Sequence, residues 1–375
     1  MSTALDHFAV TEQRRCTARP VHLVLAGATG RVGRALRAQL ARQQRSIRDE
    51  LGLELRLVAA VNRRVSAWAE QGLALPEVDS RLAAGAPTDW ATLSRRLRGQ
   101  ALERPVLVDC TASPGVAARY AELLDAGVAV VTPNKIANAG RLHDYRRLRS
   151  IARARGVPYR YETTVGAALP VLRTIEELCR SGDRVRRISA VLSGTLSFVL
   201  GRVGEGVAFS IAVREAHALG YTEPHPREDL SGEDVARKLL ITLRESGYAL
   251  EREDLEVAPL VPASFGEDLA AEAYLEALAA LDEAWAARAE AARGAGCRLV
   301  YLARFDGLAA QVAVSEVDAD ERLARLTGTE NIVVVETDRY RLVPVYIAGP
   351  GAGPEVTAAG VLADIIDAAR QTWPT

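Results

Sequence analysis

Between Gly220 and Leu240 the sequence GYTEPHPREDLSGEDVARKLL places three carboxylates, Glu223, Asp229 and Asp234, close to one lysine, Lys238. The first part reads as a Pro- and acid-rich loop, and Ser231 followed three residues later by Asp234 has the spacing of a capping box opening a helix. In that helix Val235, Leu239 and Leu243, with Ala236 and Leu240 beside them, form an apolar stripe. Asp234 and Lys238 stand four apart along its border, so they share a face. Spacing alone fits an ordinary helix ion pair worth about 0.2 to 0.5 kcal/mol. The company of Glu223 and Asp229, which can fold back to the same helix end, fits a second chemistry. Acids would hold the ammonium group of a small zwitterion while the lysine gives a proton to its carbonyl oxygen.

Such a cluster needs a scaffold, and the chain is long enough to build one. With 375 residues, 49% hydrophobic and 25% charged, it can bury a substantial core in two domains. The net charge is −1 with both signs interspersed, which gives no reason to expect nucleic acid or an anionic membrane as partner. No apolar run approaches the roughly 20 residues of a membrane span. Residues 1–20 lack the apolar core of a signal peptide and are expected to be a flexible tail. Cys16, Cys110, Cys179 and Cys297 form no metal-spaced pair, which suits a reducing cytoplasm.

Residues 21–25 read as a buried strand, followed by AGATGRVGRALRAQL, a glycine turn entering a helix. Gly27, Gly30 and Gly33 would let the segment Gly27, Ala28, Thr29, Gly30, Arg31, Val32, Gly33 approach a pyrophosphate, with the helix N-terminus facing the anion. In the strict G-x-G-x-x-G spacing the first position is Ala28, so this is a variant. The next strand ends at Asn62 and Arg63. NAD sites usually carry an acid there, whereas an arginine can meet a 2′-phosphate, so Arg63 favours NADP with NAD still open; it also fits a solvated loop. PVLVDCTAS ends in Thr111 and Ser113, and GVAVVTPNK ends in Asn134 and Lys135, where open parallel sheets bind ligands. Lys135 fits a ligand contact and a surface charge equally on this ground. Cys110 could serve a phosphorylating semialdehyde dehydrogenase as nucleophile, but within an apolar strand it reads as a buried structural thiol.

YRYETTVGAALPVLRTIEEL then links the domains. Backbone carbonyls between Val165 and Leu169 lack evident partners, so with Glu162 they could hold a hard monovalent cation, or the stretch is a plain connecting turn. SGTLSF follows a strand beginning near Arg186. A long Ala- and Glu-rich helix is expected from Leu275 to Gly294, and strands over 299–305, 309–317 and 331–337 alternate enough for a mixed sheet. GPGAG before the last helix would return the chain to the first domain and bring Gly351 and Gly353 near the cofactor, or simply serve re-entry. The expected fold is α/β. A Rossmann-type dinucleotide-binding domain (21–161 and 341–375) joins an α+β catalytic and dimerisation domain with a mixed sheet (162–340).

GYTEP.PR.DLSG.DVARKLL resembles the catalytic segment of homoserine dehydrogenases, particularly the dehydrogenase half of bifunctional aspartokinase–homoserine dehydrogenases. DCTAS and VVTPNKIAN are similar to the family pattern too, and the likeness covers roughly residues 21–370. The resemblance implies reversible, NAD(P)-dependent interconversion of L-homoserine and L-aspartate 4-semialdehyde, a step of threonine and methionine biosynthesis. It implies Lys238 as proton donor, Asp234 orienting substrate and lysine, Glu223 on the substrate ammonium with Asp229 beside it, and SGTLSF flooring the pocket. Lys135 would lie between nicotinamide and substrate as a second positive charge, and Thr111 would contact the cofactor. The resemblance further implies sodium or potassium on Glu162, Val165, Ala167 and Leu169, and a homodimer through the mixed sheet. The departures are the Ala28 position and the N-terminal tail; neither an aspartokinase half before the matched stretch nor a regulatory domain after it is expected. A semialdehyde dehydrogenase or dihydrodipicolinate reductase type would share the glycine turn but not the acid-rich segment. A redox-sensing binding protein would keep the cofactor without turnover, against which the intact Glu223, Asp234 and Lys238 argue.

Overall fold

The computed structural model describes residues 18–99 and 102–371, so Cys16 lies outside the described residues. The first sheet contains β1 (Arg19–Ala26), β2 (Leu53–Val61), β3 (Val65–Trp68), β4 (Ala86–Pro87), β5 (Pro105–Asp109), β6 (Ala129–Val131) and β7 (Tyr159–Arg160). β1 starts within the stretch expected as tail. Its Val21 to Ala26 are all at most 6% exposed, as a strand covered on both faces requires. The order is β4-β3-β2-β1-β5-β6-β7. β1 pairs in parallel with both β2 and β5, and β5, β6 and β7 continue in parallel. The chain thus leaves β1 first to one side and later to the other, and the crevice beyond the carboxyl ends of β1 and β5 is the switch point where such sheets bind ligands.

The second sheet contains β8 (Val185–Val191), β9 (Leu255–Val257), β10 (Cys297–Phe305), β11 (Ala310–Asp318), β12 (Glu330–Thr337) and β13 (Val345–Pro350), in the order β13-β12-β8-β10-β11-β9. All its pairings are antiparallel except β11 with β9, so the sheet is mixed, as expected.

Two expectations need correction. The return to the first domain does not begin at residue 341, because β13 pairs with β12 in the second sheet. The helix Pro354–Arg370 makes the return, packing along the helix Arg31–Leu51, where Gln39 Nε2 donates to Glu355 O at 2.8 Å. Nor is the Ala-rich stretch one helix. It runs as Ala271–Ala277, a 3-10 turn Leu278–Leu281, and Asp282–Gly294. At the break the Asp282 carboxylate accepts from Ser210 N at 2.7 Å and Ser210 Oγ at 2.8 Å, capping the helix Phe209–Ala218, a tertiary demand that no local pattern encodes.

Candidate active site

The glycine turn after β1 is a cradle that side chains would fill. Gly27 has φ +78°, and a Cβ there would lie 2.7 Å from Cys110 O; a Cβ on Gly33 would lie 2.2 Å from Gly27 O. Gly27 therefore supplies the left-handed residue one place before the strict fingerprint position, and Ala28, fully buried, packs into the core. The helix begins at Arg31 behind Gly30 with no side-chain cap and no acid in its first turn, leaving Thr29, Gly30, Arg31 and Val32 at a positive helix end. The residues fit a dinucleotide pyrophosphate. At the end of β2, Asn62 Oδ1 accepts from Arg64 N at 2.8 Å and Val65 N at 2.9 Å. This turn leaves Arg63 exposed, with no ion pair among the described residues.

Beyond β5, Thr111 is held by a residue that the sequence reading missed. Asp109 is fully buried, and its Oδ1 accepts from Thr111 N at 2.9 Å and Thr111 Oγ1 at 2.6 Å. Ser113 N donates to Thr111 Oγ1 at 3.0 Å. The available signal was a lone acid in an otherwise apolar strand. Burial, then the Asp109 charge, push the Cys110 thiol up, so it is no nucleophile.

Lys135 follows β6 and meets the second domain. Its Nζ lies 3.1 Å from Asp234 Oδ1, while Lys238 Nζ lies 2.9 Å from Asp234 Oδ2 and donates to Leu192 O at 2.6 Å. One carboxylate thus lies between an ammonium from each domain. Partial removal from water would raise the half-exposed Asp234 carboxyl, but Lys135 and Lys238 outweigh it and hold it well below the usual carboxylate range. The Lys238 side chain is 12% exposed, which sets the pair apart from an ordinary surface ion pair.

Asp234 does not close a capping box. The helix Glu233–Glu245 starts behind Gly232, at φ +75°; Ser231 Oγ accepts from Glu233 N at 3.2 Å and donates to Glu228 O at 2.6 Å, while Asp234 turns to the two lysines. Tyr301 Oη occupies the space beside Gly232, 1.8 Å from where a Cβ would lie. The preceding loop does fold back as expected. Asp229 Oδ2 accepts from Glu223 N at 2.8 Å. Burial, with the charges of Glu223 and Asp234, pushes the Asp229 carboxyl up to about 6. Thr195 of SGTLSF donates through Oγ1 to Tyr221 O at 2.6 Å, fixing that loop over the start of the helix Gly194–Gly204.

Glu162 begins a 3-10 turn, and its two carboxylate oxygens accept from Leu172 N and Arg173 N, each at 2.8 Å, capping the helix Val171–Arg180. Burial raises this carboxyl to about 7. Leu169 O accepts from Val171 N at 2.8 Å. The carbonyls of Val165 and Ala167 accept no hydrogen bond among the described residues, and Ala167 has φ +53°. Gly353 precedes the last helix, and Gly351 packs against Asn331 at the start of β12. β12 pairs with β8 through Ile332 and Val191, so this loop lies near Leu192, the partner of Lys238.

A glycine cradle at a sheet switch point, with a carboxylate held between one lysine from each domain, is the arrangement of a dinucleotide-binding α/β protein. The family model for homoserine dehydrogenase matches residues 170–366, and that for the homoserine dehydrogenase NAD binding domain matches residues 29–162. The chain belongs to the homoserine dehydrogenase family. It is 39% identical over 341 residues to bifunctional aspartokinase/homoserine dehydrogenase 2, chloroplastic, of Zea mays, covering 90% of this chain and 37% of that protein. With the bifunctional aspartokinase/homoserine dehydrogenase of Haemophilus influenzae it shares 38% over 347 residues, 92% of this chain and 42% of that one. The chain therefore spans well under half the length of these relatives. Among solved structures, a Candida auris protein of unknown function superposes with TM-score 0.85 at 30% identity, covering 94% of this chain and 99% of that chain. A hyperthermophilic archaeal homoserine dehydrogenase in complex with NADPH gives TM-score 0.71 at 26% identity, covering 93% and 97%.

Proposed function

We propose that this chain catalyses the reversible NAD(P)-dependent interconversion of L-homoserine and L-aspartate 4-semialdehyde, serving threonine and methionine biosynthesis. The observation that carries the reading is Asp234 bridging Lys135 of the cofactor domain and Lys238 of the substrate domain. Residues 27–33, Asn62, Arg63, Thr111, Ser113, Lys135, Gly351 and Gly353 would hold a nicotinamide nucleotide, which would supply or take up the hydride. Of the three N–H groups of Lys238, one serves Leu192 O and one Asp234, leaving the third for the aldehyde oxygen. Lys238 gives that oxygen its proton, and takes it back in the oxidative direction. Lys135 places a second positive charge against the developing alkoxide. Asp234, held ionised by its two partners, fixes both lysines and orients the substrate, whose ammonium group meets Glu223 and Asp229. Homoserine-dependent reduction of NADP tests the assignment; an Asp234→Asn variant as active as the unaltered protein would sink it.

NADP is the preferred cofactor on this reading, because the exposed Arg63 stands where a 2′-phosphate would arrive. Sodium or potassium on Glu162, Val165, Ala167 and Leu169 would offset the carboxyl that burial disfavours. Indifference of activity to both ions after thorough removal counts against that site. Two copies pair through the second sheet on this reading; a monomeric mass by light scattering contradicts this. The reducing cytoplasm suits the free thiols of Cys110, Cys179 and Cys297. Among the described residues no helix is long and apolar enough to cross a membrane.

A further inference from the structure

The carboxylate of Asp109 does more than hold Thr111. Its Oδ2 accepts from Tyr120 Oη at 2.5 Å and from Asn134 Nδ2 at 3.0 Å, so with the two bonds from Thr111 four donors converge on one buried group. Four donors leave an ionised carboxylate fully satisfied, which is the condition for burying a charge. Asn134 is in turn fixed on every side. Its N–H donates to Thr132 Oγ1 at 2.9 Å, its Nδ2 also reaches Ser113 O at 3.2 Å, and its Oδ1 accepts from Ile136 N at 3.0 Å. Thr132 Oγ1 donates to Asp109 O at 2.9 Å and lies 3.0 Å from Tyr120 Oη. The backbone of Lys135 is therefore held from both sides, by Asn134 before it, which is tied to the end of β5, and by Ile136 after it, which is tied to Asn134.

We propose that Asp109 is a positioning residue for the reaction: its buried carboxylate locks the loop after β5 to the loop after β6, and so sets where Lys135 meets Asp234 and the substrate. The assignment rests on the reading of Lys135 given above. A charge is used because a neutral side chain of the same shape cannot accept from all four donors. Asparagine would set an NH2 against two of them. The loosened loop would let Lys135 drift, and misplacement on the order of 1 Å costs about 10²-fold in rate.

The test compares the unaltered protein with Asp109→Asn and Tyr120→Phe. Turnover per folded molecule, KM for both substrates, thermal unfolding and the isotope effect with NADPH deuterated at the transferred position are measured, and the Asp109→Asn crystal structure is determined. The expectation is that kcat falls about 10-fold or more in Asp109→Asn and less in Tyr120→Phe. KM should hold near its starting value, the isotope effect should grow, and Lys135 Nζ should move away from the 3.1 Å contact with Asp234. A lower unfolding temperature with unchanged kcat, isotope effect and Lys135 position would show Asp109 to be structural only and overturn the proposal. If Asp109→Asn does not fold, Tyr120→Phe decides by the isotope effect. If the unaltered protein fails to turn over the semialdehyde, the function reading fails, and the Lys135–Asp234 separation still decides the positioning role.

Discussion

Replacing Lys238 separates a proton donor from a mere ion-pair partner. The Lys238 side chain is 12% exposed, and its ammonium group donates to Leu192 O at 2.6 Å and pairs with Asp234 at 2.9 Å. In Lys238→Ala the Leu192 carbonyl loses its donor, a loss of about 1 to 3 kcal/mol for a buried group. Asp234 keeps Lys135, so no uncompensated charge is created, and the half-exposed carboxylate adds little further loss. Stability should therefore fall by about 1 to 3 kcal/mol, more than the few tenths of a surface helix pair. Turnover should fall by about 10² or more, about 2.7 kcal/mol or more of lost transition-state stabilisation. NADPH affinity, which depends on the other domain, should hold. Lys238→Arg sharpens the comparison, since arginine keeps the charge and the donors but does not release a proton. Both variants are assayed by kcat in each direction, thermal unfolding and NADPH fluorescence titration. Substantial turnover in Lys238→Arg refutes proton donation by Lys238 and moves the role to Lys135.

Arg63→Ala should narrow the preference for NADPH over NADH, read as the ratio of the two dissociation constants; equal affinities in the starting protein contradict the assignment. Gly33→Ala forces a Cβ to 2.2 Å from Gly27 O, so it should weaken NADPH binding at least tenfold or lower stability by about 1 to 3 kcal/mol, and titration with thermal unfolding reads both. Burial, with the nearby Glu162 charge, pushes Asp364 up to about 7, so the folded chain binds that proton more tightly than the unfolded one. Its ionisation then costs stability as pH rises from about 4 to about 7. With sodium and potassium removed, Asp364→Asn should raise the unfolding temperature more at pH 8 than at pH 5, where only about a third of the penalty is in place; the same change at both values refutes it.

What was legible in the sequence was what neighbouring residues encode together. The glycine turn lies within seven consecutive positions, and the acid-rich loop lies next to the helix it folds onto, so spacing alone groups Glu223, Asp229, Asp234 and Lys238. The alternation of the later strands announced the mixed sheet. Contacts across the two domains were not legible in this way. Lys135 meets Asp234 only because the helix 233–245 lies against the short helix Ile136–Ala139 that follows Lys135, and that contact takes Asp234 away from the capping role its spacing suggested. Asp109 stands out in the sequence only as a lone acid in an apolar strand; its role shows when Tyr120 and Asn134 are brought onto it. Similarly, β13 joins the second sheet by pairing with β12 although the glycine loop just beyond it points back to the first domain.

The central claim is most directly tested by following NADPH absorbance with L-aspartate 4-semialdehyde as the only oxidant, with and without phosphate. Steady NADPH consumption independent of phosphate, with homoserine accumulating in equal amount, is the predicted result. No consumption at saturating cofactor and semialdehyde, or consumption only when phosphate is present, would contradict the account.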